Sequence, residues 1–362
     1  MSLHIHPLFH GLGDSLVVSQ GKKWFRHRRL LTPGFHYDVL KPYVKIMADS
    51  TKIMLDKWEA YANKDESFEL SEHASLMTLD SIIKCAFSCE TNCQIESGTN
   101  SYIQAVYELN DLINLRFRTY PYHSETIFNL SPHGYRFRKA CRIAHQHTEE
   151  VVRKRKEALK NEKELGRIQK KRNLDFLDIL LCARDEQQGL SDEEIRDEVE
   201  TFMFAGHDTT ASGISWILYC LACNPEHQQR AREEVLQVLE GKDTMDWEDL
   251  SKIPYTTMCM KECLRLYPPV PWVSRKLTKP MTFFDGRSIP EGSLVGASIY
   301  GIHRNSTVWE NPEVFDPLRF LPENCAKRSP TPSCPSLQDP GLFRIKFSSS
   351  VTGLVSEYSS RV

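Results

Sequence analysis

The 362-residue sequence has no long hydrophobic run. Nothing approaches the roughly 18 consecutive apolar residues of a membrane-spanning helix. The longest apolar stretch, Trp216 to Cys223, reads as core. There is no excess of charge of either sign: the formal net charge is −2 and the pI about 6.7. Such a chain has no field for nucleic acid. There is no disulfide framework either, since the 11 cysteines are scattered, which suits a reducing compartment. The start, "MSLHIHPLFHGLGDSL", lacks the basic-then-apolar order of a signal peptide. Metal spacing is poor. Cys85, Cys89 and Cys93 step by four along a predicted helix and Cys220 and Cys223 by three, as small apolar helix positions do. His145 and His147 are two apart and share no helix face. The length is ample for one large core or two domains.

What is present is helix, and one stretch organises the rest. Ser191-Asp192-Glu193-Glu194 is a capping box, a serine followed three residues later by a glutamate. Asn224-Pro225 ends the segment, because proline disfavours helix at the residue before it. Between them lies one long helix without proline. Its face Ile195, Val199, Phe202, Gly206, Thr209, Gly213, Trp216 is bulky at both ends and small in the middle. The gap makes room for something flat, or for a close helix crossing; the stripe alone does not choose between them. Within it, Ala205-Gly206-His207-Asp208-Thr209-Thr210 sets an acid beside a hydroxyl, a pair able to relay protons.

Further helices are predicted over 21–31, 37–62, 71–89 and 101–118. A strongly charged region follows over 134–172, then 174–181, 225–239 and 255–266. The interspersed Glu149, Glu150, Glu157 and Glu162 mark the charged region as a solvated face. Trp24 and Arg28 are four apart on the basic first helix, and Glu262 and Arg265 three apart on the last. Without context, the first pair is a solvated basic helix and the second an ordinary surface pair.

Together these segments resemble the cytochrome P450 monooxygenases. Four motifs stand in that family's order: Trp24-x-x-x-Arg28, Ala205-Gly206-x-Asp208-Thr209-Thr210, Glu262-x-x-Arg265, and Pro317-x-Arg319-Phe320. The text around the second, "ETFMFAGHDTTASGIS", is similar to family 4, the fatty-acid hydroxylase branch. The resemblance runs from about residue 11 to 330. It implies a mainly α fold with small β elements, the cytochrome P450 fold, incomplete at both ends, with haem as cofactor. It implies that Trp24, Arg28 and Arg275 meet the haem propionates and that Ala205 and Gly206 lie against the haem. Asp208 and Thr209 would deliver protons, and Glu262, Arg265 and Arg319 would form a buried structural network. The implied partners are an NADPH-dependent flavoprotein reductase, O2, a fatty acid or other apolar substrate, and the cytosolic face of the endoplasmic reticulum membrane. Lys22, Lys23, Arg26 and Arg29 could face an acidic redox partner.

Two departures accompany the resemblance. Many family 4 members have a glutamate at the position of Ala205 that bonds the haem covalently, and alanine cannot. The family's haem loop, Phe-x-x-Gly-x-Arg-x-Cys-x-Gly, has no match after Pro330. Cys334, in "TPSCPSL", lacks the loop's glycine and arginine, so no axial metal ligand is assigned. Residues 331–362 read as an aberrant tail. A one-base deletion in a family-like continuation reproduces Pro330 to Gly341, and a splice boundary is the other origin. The expectation is a chain from which the N-terminal anchor and the haem-ligand loop are absent. Its parent activity is monooxygenation, with a non-catalytic isoform, pseudogene product or mis-annotated gene model as the alternative.

Overall fold

The computed structural model describes residues 13–328, apart from 63, 65–66, 96–99, 171–173 and 183–189. The predicted tail, with Cys334, lies outside the described residues. The helices are α1 (Gly21–Leu31), α2 (Tyr37–Leu40), α3 (Tyr43–Ala62), α4 (Leu70–Phe87), α5 (Ser101–Arg118), α6 (Glu125–Leu130), α7 (Pro132–Ala158), α8 (Glu162–Lys170), α9 (Phe176–Cys182), α10 (Asp192–Cys223), α11 (Pro225–Val238) and α12 (Pro254–Leu266). Four short strands follow: β1 (Trp272–Lys276), β2 (Met281–Thr282), β3 (Ser288–Ile289) and β4 (Leu294–Ser298). Two more helices, α13 (Ile299–His303) and α14 (Pro322–Lys327), complete the order. The fold is mainly α with small β elements, as the sequence predicts. No helix among the described residues is long and apolar enough to cross a membrane.

The described residues fall into two compact units that part inside α10, between Ala211 and Ser212. In the first unit, the start of α10 is fixed by the predicted capping box. The Ser191 N–H donates to Glu194 Oε2 at 3.0 Å, and the Glu194 N–H donates to Ser191 Oγ at 3.1 Å. Ile195, Val199 and Met203 of α10 are fully buried, as are Leu177 and Leu180 of α9. Where one helix was expected over 37–62, two form, because Pro42 cannot continue the hydrogen-bond ladder. The helix expected to reach Cys89 stops at Phe87. Ser88 takes a left-handed conformation (φ 49°), so Cys89 and Cys93 lie beyond the helix rather than on it. Both are still buried.

The charged region also departs from a purely solvated face. Arg153 does pair with Glu150 and Glu157 in water. Arg155, two residues on, is buried instead and grips Asp178 of α9 with both Nε (2.7 Å) and a terminal nitrogen (2.8 Å). Its other side reaches Glu164 of α8 at 2.9 Å. That one side chain ties together α7, α8 and α9.

In the second unit, the end of α10 packs against α11 and α12 around Ile217, Cys220, Leu221, Ala231, Tyr255, Cys259, Met260 and Cys263. Asn224 closes α10 by donating to the Cys220 carbonyl at 2.7 Å, and Pro225 opens α11. β1 pairs antiparallel with β4, Ser274 opposite Gly296 and Arg275 opposite Val295. The Trp272 ring lies over Gly296. A Cβ there would sit 1.8 Å from the ring, so only glycine fits.

Candidate functional site

Helix α10 carries the centre of the first unit's polar chemistry. Ala205, Gly206, Asp208 and Thr209 are half-buried, while His207, on the opposite side, is fully buried. Asp208 is held by Asn110 of α5, whose Nδ2 donates to Oδ2 at 3.3 Å. The Thr209 hydroxyl donates to the Ala205 carbonyl one turn back, at 2.6 Å. Its proton is committed there, so its lone pairs remain free to accept a hydrogen bond from outside the helix. An acid and a hydroxyl, both oriented and both half-open, can hold and pass a proton.

The opposite face explains why the helix keeps its place. His207 Nδ1 donates to the Met203 carbonyl at 3.0 Å, and burial holds its pKa below the ordinary imidazole value. The ring is therefore neutral and packs 5.4 Å from Tyr102. Thr78 of α4 donates its hydroxyl to the His207 carbonyl at 3.0 Å. Gly206 answers the question the stripe left open on one side. A Cβ built on it would come within 3.0 Å of Ile82 of α4, so this glycine serves a close helix crossing. Gly213, in the other unit, lies in ordinary contact with Leu264 and Pro269.

Trp24 and Arg28 are both exposed on α1, and no ion pair holds the Arg28 guanidinium among the described residues. Between them His27 is buried against Glu198 (2.7 Å) and Glu194 (3.4 Å) of α10, which sets the rotation of the basic helix. Arg275, in the second unit, is exposed on β1 and, among the described residues, bonds its neighbour's carbonyl, Ser274 O, at 2.8 Å.

Glu262, Arg265 and Arg319 meet in the second unit. Arg265 and Glu262 are each wholly buried and joined by two bonds, at 2.7 and 2.8 Å. Arg265 also donates to the carbonyls of His303 (2.8 Å), Pro312 (2.7 Å) and Val314 (3.3 Å). All five guanidinium N–H groups are thus engaged. Glu262 Oε1 takes in addition the Asp316 N–H at 2.9 Å and lies 3.3 Å from Arg319 Nε, inside ion-pairing distance but poorly aligned. Arg319 completes its own bonding on the Asn311 carbonyl at 2.9 Å.

Sequence reasoning missed Asn110, Thr78, His27 with Glu198, and the His145–Glu200 pair at 2.6 Å. Each joins residues far apart in the chain, and no local spacing announces them. His145 and His147 do part company as their spacing requires: one binds Glu200, the other stacks on Tyr102 at 4.7 Å.

A chain of this composition, with an acid–hydroxyl step in a long helix and a buried Glu-x-x-Arg pair, matches the family model for cytochrome P450 over residues 4–335. It belongs to that family. Its curated relatives include "Cytochrome P450 4B1" of Rattus norvegicus, 58% identical over 320 residues, 88% of this chain and 62% of that protein. "Cytochrome P450 4A10" of Rattus norvegicus is 56% identical over 314 residues, with 86% and 62% covered. "Cytochrome P450 4A12B" of Mus musculus is 55% identical over 312 residues, with 86% and 61% covered. The chain thus spans about three fifths of the length of these relatives.

The family implies haem, and the described residues fit it unevenly. Exposed Trp24 and Arg28 are donors suited to carboxylates, and the half-open Ala205 and Thr209 suit a flat neighbour. Five of the described thiols are poorly suited to the iron. Burial pushes Cys89 up to about 11 and Cys141 and Cys259 up to about 12, and it raises Cys85 and Cys263 as well. A metal needs the thiolate. No group of three or more His, Cys, Asp or Glu able to hold a metal ion occurs among the described residues.

Proposed function

We propose that this chain carries the proton-handling and structural part of a haem-thiolate monooxygenase of the family 4 type, whose parent activity is hydroxylation of fatty acids or other apolar molecules. The observation that supports it is the α10 pair. Asn110 fixes Asp208, and Thr209 keeps its proton on Ala205 while leaving lone pairs open. When bound, haem supplies the oxidising chemistry. Asp208 and Thr209 hold and move protons beside it, with Ala205 in its small-residue wall, while Gly206 lets α10 approach Ile82 of α4. Trp24 and Arg28 donate to its carboxylates, while Glu262, Arg265 and Arg319 keep the α12 region rigid. O2 is the co-substrate. Electrons come from an NADPH-dependent flavoprotein reductase, to which Lys22 and Arg29 offer exposed cations, whereas Lys23 and Arg26 are paired with Asp14 and Glu194. The site of action is the cytosolic face of the endoplasmic reticulum membrane.

A second reading has its own support: the chain by itself is non-catalytic. Burial raises the Cys85 and Cys263 thiols above their ordinary range, and no segment of the sequence matches the family's cysteine loop. One experiment separates the two. The chain is expressed with haem supplied, alongside a chimaera in which residues after Phe320 are replaced by the corresponding segment of a full-length relative. The chimaera should show the thiolate-type carbon-monoxide spectrum and hydroxylate laurate with reductase and NADPH; the chain as given should do neither. A chimaera that binds no haem would sink the monooxygenase reading. A thiolate spectrum from the chain itself, erased by Cys334→Ser, would sink the non-catalytic one.

A further inference from the structure

One contact in the second unit has no part in the chemistry above. Cys220, in the last turn of α10, and Cys263, on α12, bring their Sγ atoms to 3.2 Å. Both are buried, at 4% and 1% exposure. A disulfide needs about 2.05 Å between sulfurs, so each has to move by only about half an ångström. Neighbouring contacts hold α10 against the end of α12 beside the pair. Gly213 packs under Leu264, and Trp216 stacks on Tyr267 at 4.2 Å with the rings parallel to within 2°. Tyr255 of α12 is bonded in turn to His227 of α11 at 2.6 Å. Of the other buried cysteines, Cys85, Cys89 and Cys93 are differently engaged, each pointing its thiol at a backbone carbonyl.

We propose that Cys220 and Cys263 form an oxidative modification site that closes into a disulfide when the chain meets a peroxide-class oxidant. The step balances. One sulfur attacks a peroxide oxygen, the O–O bond breaks, and a sulfenic acid and one water result. The second sulfur attacks the sulfenic sulfur, the S–O bond breaks, and a second water leaves. The two thiols give up two protons and two electrons, and hydrogen peroxide takes them all. Burial, followed by the contact with Cys220, holds the Cys263 thiol well above the ordinary range, so the first attack is slow. Selectivity comes from the second step, which is intramolecular between preset atoms. Hydrogen peroxide is also small enough to reach a pair that a bulky disulfide oxidant would not. Once closed, the bond locks the end of α10 to the helix carrying Glu262 and Arg265.

The test uses the full chain, freed of reductant and treated with hydrogen peroxide under native conditions. It is then unfolded in urea, alkylated, digested without reduction and mapped by mass spectrometry. The 11 thiols should fall by two, with Cys220 and Cys263 linked. Dithiothreitol should restore all 11. Oxidation of chain already unfolded in urea should scatter linkages over many pairs. In Cys263→Ser, a sulfenic-acid trap such as dimedone should mark Cys220. If that variant fails to fold, the native-against-urea comparison on the unmutated chain decides alone. Recovery of both residues as free thiols, or the same scattered linkages from native and unfolded chain, would overturn the proposal.

Discussion

Replacing Glu262 by alanine tests whether the Glu262–Arg265 pair is structural in the strong sense. The substitution removes both acceptor oxygens from a site where neither side chain has any exposure. It strands two of the five Arg265 N–H groups and the Asp316 N–H, and removes the counter-charge beside Arg319. A buried guanidinium left without its counter-charge costs about 3–5 kcal/mol. Whole-domain stability is about 5–15 kcal/mol, so the loss is large enough to reduce soluble yield outright. Urea unfolding followed by far-UV circular dichroism measures it. Glu262→Ala/Arg265→Met makes the sign distinctive. Removing the stranded cation as well should recover part of the loss, so the double variant should be more stable than Glu262→Ala alone. Methionine also fills the space the guanidinium leaves. A Glu262→Ala protein that unfolds at the parental urea concentration, or a double variant with strictly additive losses, would refute the reasoning.

Two other perturbations address the rest of the molecule. Asp178→Ala should destabilise the first unit by about 3–5 kcal/mol through the stranded Arg155, whereas Arg155→Met/Asp178→Leu should come close to the parent; the urea midpoints of the two variants check this. Stability should also fall on acidification, because burial lowers His303 and His147 to about 4 from 6.5. Between those values the unfolded chain binds the protons that the folded chain refuses. The contribution is complete above pH 6.5 and is lost as pH drops, by roughly 2 kcal/mol per group at pH 5. His145, raised mainly by its bond to Glu200, acts in the opposite sense. Unfolding from pH 7 to 5 in His303→Gln should show a shallower acid loss than the parent.

The helices were legible because their ends are written locally. Ser191 and Glu194 cap each other as their spacing predicts, and Pro225 stops α10 where expected. Glu262 and Arg265 could be picked out as a pair, but not as a buried one. Burial depends on the carbonyls of His303, Pro312 and Val314, which only the folded chain brings to Arg265. The same limit hid Arg155. Its neighbours read as a solvated run, and nothing in "VVRKRKEALK" distinguishes the one arginine that points inward to Asp178. Gly206 shows the limit from the other side. A missing side chain is visible in sequence, whereas the Ile82 side chain, 3.0 Å from where its Cβ would sit, is not.

Because the two units part in the middle of α10, they are joined by helix rather than by a linker. Cutting the chain between Ala211 and Ser212 would strand four carbonyls on one side and four amides on the other. Each half would lose its share of a 32-residue helix. Fraying begun in one unit has an unbroken ladder along which to enter the other, so hydrogen exchange along α10 should report on both units at once. Neither unit is a module that could be borrowed, swapped or deleted cleanly, and recombination that respects this chain's integrity must fall outside residues 192–223.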